Sequence, residues 1–181
     1  EHEANLVFTR MLSGPMDYTP GIVSLTGKGG RRIPSTLAKQ LANYVVIYSP
    51  VQMAADLPEH YEARPAAFDF IKRVPADWEV TRVLGGAIGD YAVFARQRRG
   101  GADWYVGGVT DEAARDFTVD FAFLPTGKRY AATIWRDGAG GGIGRDPFAM
   151  TVETKTVTAA TKWPVRMAAG GGFAIALSPA R

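Results

Sequence analysis

Cysteine is absent from the 181 residues of this chain. That absence excludes disulfide bonds, thiolate zinc sites and a cysteine nucleophile. Histidine is scarce too: His2 and His60 lie far apart in the sequence and have few acids near them, so we expect no metal site in this chain. The net charge is only +3 and the basic residues are scattered, which is typical of solvated loops. We therefore expect no nucleic-acid partner.

Long hydrophobic runs are also missing. No stretch approaches the roughly 18 apolar residues of a membrane-spanning helix, so we expect no membrane span. The hydrophobic fraction of 46% nevertheless excludes a disordered chain. The chain starts at Glu1 without an initiator methionine or a charged-then-apolar leader. This start predicts a processed product or a piece of a longer protein.

The character of the sequence changes once, near residue 75. Before that point, Ser35 is a good N-cap, and apolar residues recur at spacings of three and four as far as Tyr48. This pattern predicts a helix over 35–49, and a second amphipathic pattern predicts a helix over 66–73. Both helices are expected to pack against protein outside this chain.

After Trp78 the sequence consists of short runs rich in β-branched and aromatic residues, divided by Gly, Asp and Pro. The predicted strands are Glu79–Leu84, Tyr91–Arg98, Trp104–Thr110, Phe117–Phe121, Arg129–Arg136, Met150–Val157, Lys162–Met167 and Phe173–Leu177. Apolar and polar residues alternate within several of them, as in antiparallel strands with one wet face. Residues 76–181 are thus predicted to form an antiparallel β-sandwich of seven or eight strands.

The stretch 8–21 is the most informative part of the chain. An apolar run beginning at Leu6 stops at Gly14-Pro15 and is followed directly by Asp17 and Tyr18. Such a run predicts a buried parallel strand over 6–12, and the functional residues of barrel enzymes follow the carboxyl ends of such strands. An ordinary buried strand with a Gly/Pro turn fits the pattern equally well.

Several blocks of sequence resemble the C-terminal portion of glycoside hydrolase family 97, which contains α-glucosidases and α-galactosidases. They include FTRMLSGPMDYTPG at 8–21 and YSPVQMAADLPE at 48–59. The further blocks are Ser35–Ala42, Phe68–Lys72, Asp103–Gly107 and Gly170–Ala174. They occur in the family's order and run through nearly the whole chain.

The resemblance implies a specific architecture. The chain would be an α+β fragment in which residues 1–75 form the end of a catalytic (β/α)8 barrel, with strand eight and the following helices. Residues 76–181 would form the all-β C-terminal sandwich. The catalytic carboxylates and the ligands of a calcium ion would lie upstream, so this chain alone is predicted to be inactive and to hold no metal. Glu1 and Glu3 are not expected to be catalytic. A periplasmic or secreted location is implied as well.

Three residues are candidates for contacting an oligo- or polysaccharide substrate. Asp17 either binds a sugar hydroxyl or caps its own turn. Tyr18 either contributes to an apolar platform or simply packs, and Arg10 either contacts substrate or forms a structural ion pair inside the barrel. The alternative function is a non-catalytic carbohydrate-binding or structural β-sandwich module. An unpaired barrel strand at 6–12 would argue against that module.

Overall fold

A six-stranded antiparallel sheet forms the centre of the structure, a computed structural model that describes residues 2–180. From one edge to the other, its six strands are hydrogen-bonded in the following order. They are β1 (Trp78–Ala87), β2 (Tyr91–Arg98), β3 (Trp104–Thr110), β8 (Gly172–Pro179), β5 (Tyr130–Asp137) and β6 (Met150–Val157). The sequence patterns placed all six within a few residues of these bounds, and the bounds of β2, β3 and β6 were predicted without error.

A two-stranded sheet covers one face of the large sheet. It pairs β4 (Arg115–Asp120) with β7 (Lys162–Met167) in antiparallel register. Between the two sheets lies a core of fully buried side chains, among them Val119, Phe121 and Ile134. The predicted sandwich is therefore confirmed as a mostly-β architecture, with its layers unequal in size.

Four short helices of residues 2–180 lie on the opposite side of the large sheet: α1 (His2–Leu6), α2 (Leu37–Val46), α3 (Pro58–Glu62) and α4 (Pro65–Arg73), with α3 packed mainly on α4. The N-cap of α2 is Thr36, not the predicted Ser35, and its Oγ1 accepts a hydrogen bond from the Lys39 amide at 3.2 Å. All ten residues of α2 are buried. The close approach of this helix to the sheet is possible because β3 carries Gly107 beneath it.

The helices pack on the sheet of their own chain, so the expectation that they pack against outside protein was wrong for their buried faces. In α4, the Phe70 ring lies edge-on to Trp135 of β5, with the ring centroids 5.1 Å apart. The Trp135 indole N–H also donates to the carbonyl of Ala66 at 2.7 Å. These apolar helix faces are matched to an apolar sheet face that would otherwise be exposed.

The predicted barrel strand over 6–12 was wrong. Helix α1 ends at Leu6, and a 3-10 helix follows over Arg10–Ser13. Ala4 and Val7 are buried in a cluster with Ala92 and Val109 of the sheet. The start of this segment thus buries side chains against a sheet face, whereas Leu12 near its end is 77% exposed. A helix allows this burial without leaving edge hydrogen bonds unpaired.

The change from helices to strands occurs where the composition changes, since α4 ends at Arg73 and β1 begins at Trp78. The division into domains at residue 75 stays a prediction. Within residues 2–180, no helix has the length and apolar character needed to cross a bilayer.

Candidate functional site

The three predicted site residues lie on one edge of the helical layer, where two extended segments run side by side. The Met16 amide donates to the Tyr48 carbonyl at 3.2 Å, Tyr18 and Gln52 form a parallel bridge, and the Ala55 amide donates to the carbonyl of Pro20 at 3.0 Å. We call residues 16–20 the rim segment. Together with 48–55 it forms the outer surface of this edge.

The outer surface combines a carboxylate with apolar side chains. The Asp17 side chain is exposed and makes no hydrogen bond or ion pair within residues 2–180, so it does not cap its own turn. Val51 and Met53 on the neighbouring segment are 62% and 63% exposed. A free carboxylate beside exposed apolar groups can accept hydroxyl hydrogen bonds from a ligand whose apolar face lies on the neighbouring side chains.

Arg10 is exposed on the 3-10 helix. Its guanidinium donates at 3.4 Å to the carbonyls of Gly14 and Pro15, and it pairs with no acid of residues 2–180. The structural ion pair suggested for it depended on a strand interior that these residues do not form. Its charge therefore faces solvent beside the rim segment.

Tyr18 points inward, away from Asp17, into a polar cluster that sequence reasoning missed. Its hydroxyl donates to Glu3 Oε1 at 3.3 Å and accepts from Asn43 Nδ2 at 3.1 Å. Asn43 Nδ2 also donates to Glu3 Oε1 at 2.9 Å. Burial, followed by the negative charge of Glu3, raises the pKa of Tyr18 far above its ordinary value, so the phenol stays protonated.

Lys39 completes this cluster. Its Nζ lies 3.2 Å from Glu3 Oε2 and donates to the Thr110 carbonyl at 3.0 Å. The Lys39 side chain is only 3% exposed, whereas that of Glu3 is 26% exposed. We call Glu3, Tyr18, Lys39 and Asn43 the Glu3 cluster; it joins α1, the rim segment and α2 at one carboxylate.

A sequence signal for the cluster does exist. Lys39 and Asn43 are four residues apart, so they lie on one face of α2. Apart from Gln40, the other residues of this helix are apolar, which indicates a buried helix, and a buried lysine or asparagine needs polar partners. The sequence could not name those partners, because Glu3 and Tyr18 are remote along the chain.

A cavity of about 400 Å³ opens beside the glycine-rich loop 138–144. Strand β6 follows this loop, so the loop lacks the helix N-terminus of a phosphate cradle. Its wall includes Arg166, which already pairs with Asp116 at 3.0 Å. Within residues 2–180, no three His, Asp or Glu side chains are grouped to hold a metal ion.

Comparison with known proteins gives a consistent result across the whole chain. A family model described as "Glycosyl-hydrolase 97 C-terminal, oligomerisation" matches residues 77–178. The chain is 39% identical over 183 residues to a retaining α-galactosidase of Bacteroides thetaiotaomicron, covering 97% of this chain and 27% of that protein. It is 33% identical over 174 residues to a probable retaining α-galactosidase of Streptomyces bingchenggensis, covering 96% of this chain and 25% of that protein.

Solved structures agree with these relatives. A glycoside hydrolase family 97 enzyme of a Pseudoalteromonas species, solved in complex with panose, superposes with a TM-score of 0.94 at 48% identity. The match covers 99% of this chain and 28% of that one. A β-arabinopyranosidase superposes with a TM-score of 0.78 at 27% identity, over 98% of this chain and 27% of that one. The chain thus spans about a quarter of the length of these relatives.

Proposed function

Because this chain belongs to glycoside hydrolase family 97, we propose that it is the C-terminal, oligomerising part of a glycosidase. The observation that carries the proposal is that both relatives and solved enzymes match nearly all of this chain while extending well beyond it. Those matches include residues 2–76, which lie outside the family model. An independent sandwich module would not account for that helical portion.

The catalytic step belongs, in this proposal, to residues upstream of the chain. Glycoside hydrolysis needs two carboxyl groups placed on either side of the scissile bond. On the candidate surface of this chain Asp17 is exposed, but Glu3 is held by Lys39, Asn43 and Tyr18. We therefore assign substrate contact to the exposed surface and leave bond cleavage to the upstream region.

The proposed substrate is an α-linked galactoside or glucoside. The curated relatives are named as retaining α-galactosidases, and a family 97 structure holds panose. The full-length enzyme should hydrolyse p-nitrophenyl α-galactoside or α-glucoside, and the 181-residue chain alone should hydrolyse neither. Turnover by the isolated chain would place the catalytic groups within it and contradict the proposal.

Asp17 is the residue that we propose to contact substrate, with Arg10 beside it and Tyr18 holding the rim segment. In the full-length enzyme, Asp17→Asn should raise KM severalfold because the amide is a weaker acceptor for sugar hydroxyls. Glu62→Gln, at an exposed acid on α3, is the matched control and should leave KM unchanged. An Asp17→Asn enzyme with the wild-type KM would remove Asp17 from the substrate rim.

The oligomerising role can be tested by measuring the molar mass of the chain in solution. Light scattering on the 181-residue chain, after circular dichroism has established that it is folded, should give a dimer or larger assembly. A folded chain that remains monomeric at high concentration would contradict this role.

Calcium, which the resemblance implies, is proposed to bind upstream, and the periplasmic or secreted location is likewise a proposal. Calorimetric titration of calcium into the full-length enzyme, and fractionation of the source cells, test these two points.

A further inference from the structure

The buried ammonium of Lys39 takes its counter-charge from the first helix of the chain. Glu3 is the carboxylate paired with it within residues 2–180, and the second partner of the ammonium is only a carbonyl, that of Thr110. A buried charge that loses its partner is strongly destabilising. Helix α1 therefore cannot move away from α2 without removing the ion-pair partner of this ammonium, which would keep only the longer-range attraction of the buried Asp137 carboxylate.

The same carboxylate also holds the rim segment. The Tyr18 hydroxyl and the Asn43 amide both donate to Glu3 Oε1. Three separate segments of chain are thus set in position by one side chain.

Stability alone is a poor reason for such an arrangement. A buried ion pair is often no more stabilising than apolar side chains of similar volume. What it adds is direction: charge-assisted hydrogen bonds hold a carboxylate at one place and orientation. Reaction rates depend steeply on the position of catalytic groups relative to the substrate, since a displacement of about 1 Å can lower the rate about a hundredfold.

We propose that Lys39 and Glu3 act as a pair of positioning residues for the glycosidase reaction. The pair sets the path by which the chain enters from the upstream catalytic region, and through Tyr18 it sets the rim segment that carries Asp17. This inference rests on the proposed function, because it requires an active site that includes both regions.

The experiment uses the full-length enzyme with Glu3→Gln, Lys39→Met and the double variant. Lys72→Met on α4, where the side chain is 57% exposed, and Glu62→Gln are the matched controls. For each protein, kcat and KM are measured with p-nitrophenyl α-galactoside and α-glucoside well below its Tm. The Tm of each protein is measured in parallel.

The double variant separates positioning from stability. Glu3→Gln removes the ion-pair partner of the Lys39 ammonium, so the Tm should fall, whereas the double variant also removes that ammonium and should recover most of the loss. If the pair positions the active site, kcat/KM falls at least tenfold in Glu3→Gln and stays low in the double variant. Neither control should change it by more than twofold.

Two results would overturn the inference. One is a kcat/KM for Glu3→Gln within twofold of wild type; the other is a kcat/KM that recovers along with the Tm in the double variant, which indicates a structural role only. If Lys39→Met does not fold, the comparison of Glu3→Gln with wild type decides. Inactivity of the wild-type full-length enzyme on both substrates would instead contradict the proposed function.

Discussion

The contact between α2 and the central sheet should depend on a single missing side chain at Gly107. A Cβ added there would lie 2.7 Å from the carbonyl oxygen of Ala42, 2.8 Å from Val45 Cβ and 3.1 Å from Val46 Cγ2. Ordinary van der Waals contact begins near 3.4 Å. Gly107→Ala must therefore push the helix away from β3, because a backbone carbonyl within a helix cannot rotate aside.

The size of the effect follows from two opposing contributions. Overpacking of a tightly packed core costs about 1–3 kcal/mol, and the clash with backbone puts this case at the upper end. Replacing glycine by alanine also makes the unfolded chain less flexible, which stabilises the folded state by about 0.4–1 kcal/mol. The net loss should be about 2 kcal/mol, which lowers the Tm by about 4–8 °C in a protein of this size.

Gly101 provides the matched control. It lies in the turn after β2, and a Cβ there would be 3.6 Å from its nearest neighbour, the Arg98 Cδ. Gly101→Ala should leave the Tm unchanged or raise it slightly. Thermal unfolding followed by circular dichroism compares the two variants with wild type. If Gly107→Ala is as stable as Gly101→Ala, then α2 does not rest on β3 as closely as described.

Three further outcomes can be checked by urea denaturation. Asp137 Oδ2 accepts hydrogen bonds from two backbone amides at 2.8 Å. Asp137→Ala should therefore lower the free energy of unfolding by about 2–4 kcal/mol, and Asp137→Asn should lower it much less. Equal losses in the two variants would refute this. The Arg96 guanidinium donates a hydrogen bond at 2.6 Å to the Val45 carbonyl at the C-terminal end of α2. Arg96→Met should therefore lower the free energy of unfolding by about 2–3 kcal/mol. An unchanged stability would show that Arg96 does not stabilise the end of this helix. Burial would raise the pKa of Asp56, but hydrogen bonds from His60 and neighbouring groups outweigh it and lower that pKa. The folded state then binds the proton more weakly than the unfolded state, so the stabilisation is complete above about pH 4 and is lost as the pH falls through the lower folded value. The stability difference between wild type and Asp56→Asn should shrink below pH 4, and a constant difference would contradict this assignment.

The sandwich could be predicted from sequence because its signals are local. The runs Tyr91–Arg98, Trp104–Thr110 and Met150–Val157 end at turn residues and carry the alternation or β-branched content of strands. The structure confirms all three. Helix α4 was predictable for a similar reason, since its apolar stripe is bounded by prolines.

The run beginning at Leu6 shows where such signals fail. A short apolar run is compatible with a buried strand or with a helix, and periodicity cannot choose between them. The conformation depends on the sheet, because Ala4 and Val7 are buried in one cluster with Ala92 and Val109. That surface is formed by residues about ninety positions further along the chain.

The candidate site, too, could be predicted only in part from the sequence. Asp17 and Tyr18 were predicted as site residues because they follow an apolar run in a recognisable block, and their contact with substrate stays a prediction. Their opposite orientations, one to solvent and one to Glu3, were decided by the pairing of the rim segment with residues 48–55. Lys39 and Asn43 on α2 indicated that polar partners were required, but not which residues these would be.

By itself, the sequence determined the strands, the two longer helices and the resemblance to a glycosidase family, because each of these depends on residues close together in the chain. Only the tertiary structure decided that residues 2–6 form a helix, that α2 packs against the sheet of its own chain, and that Lys39 pairs with Glu3. These outcomes depend on which distant surfaces exclude water together. Burial is a property of the assembled layers and not of any one segment.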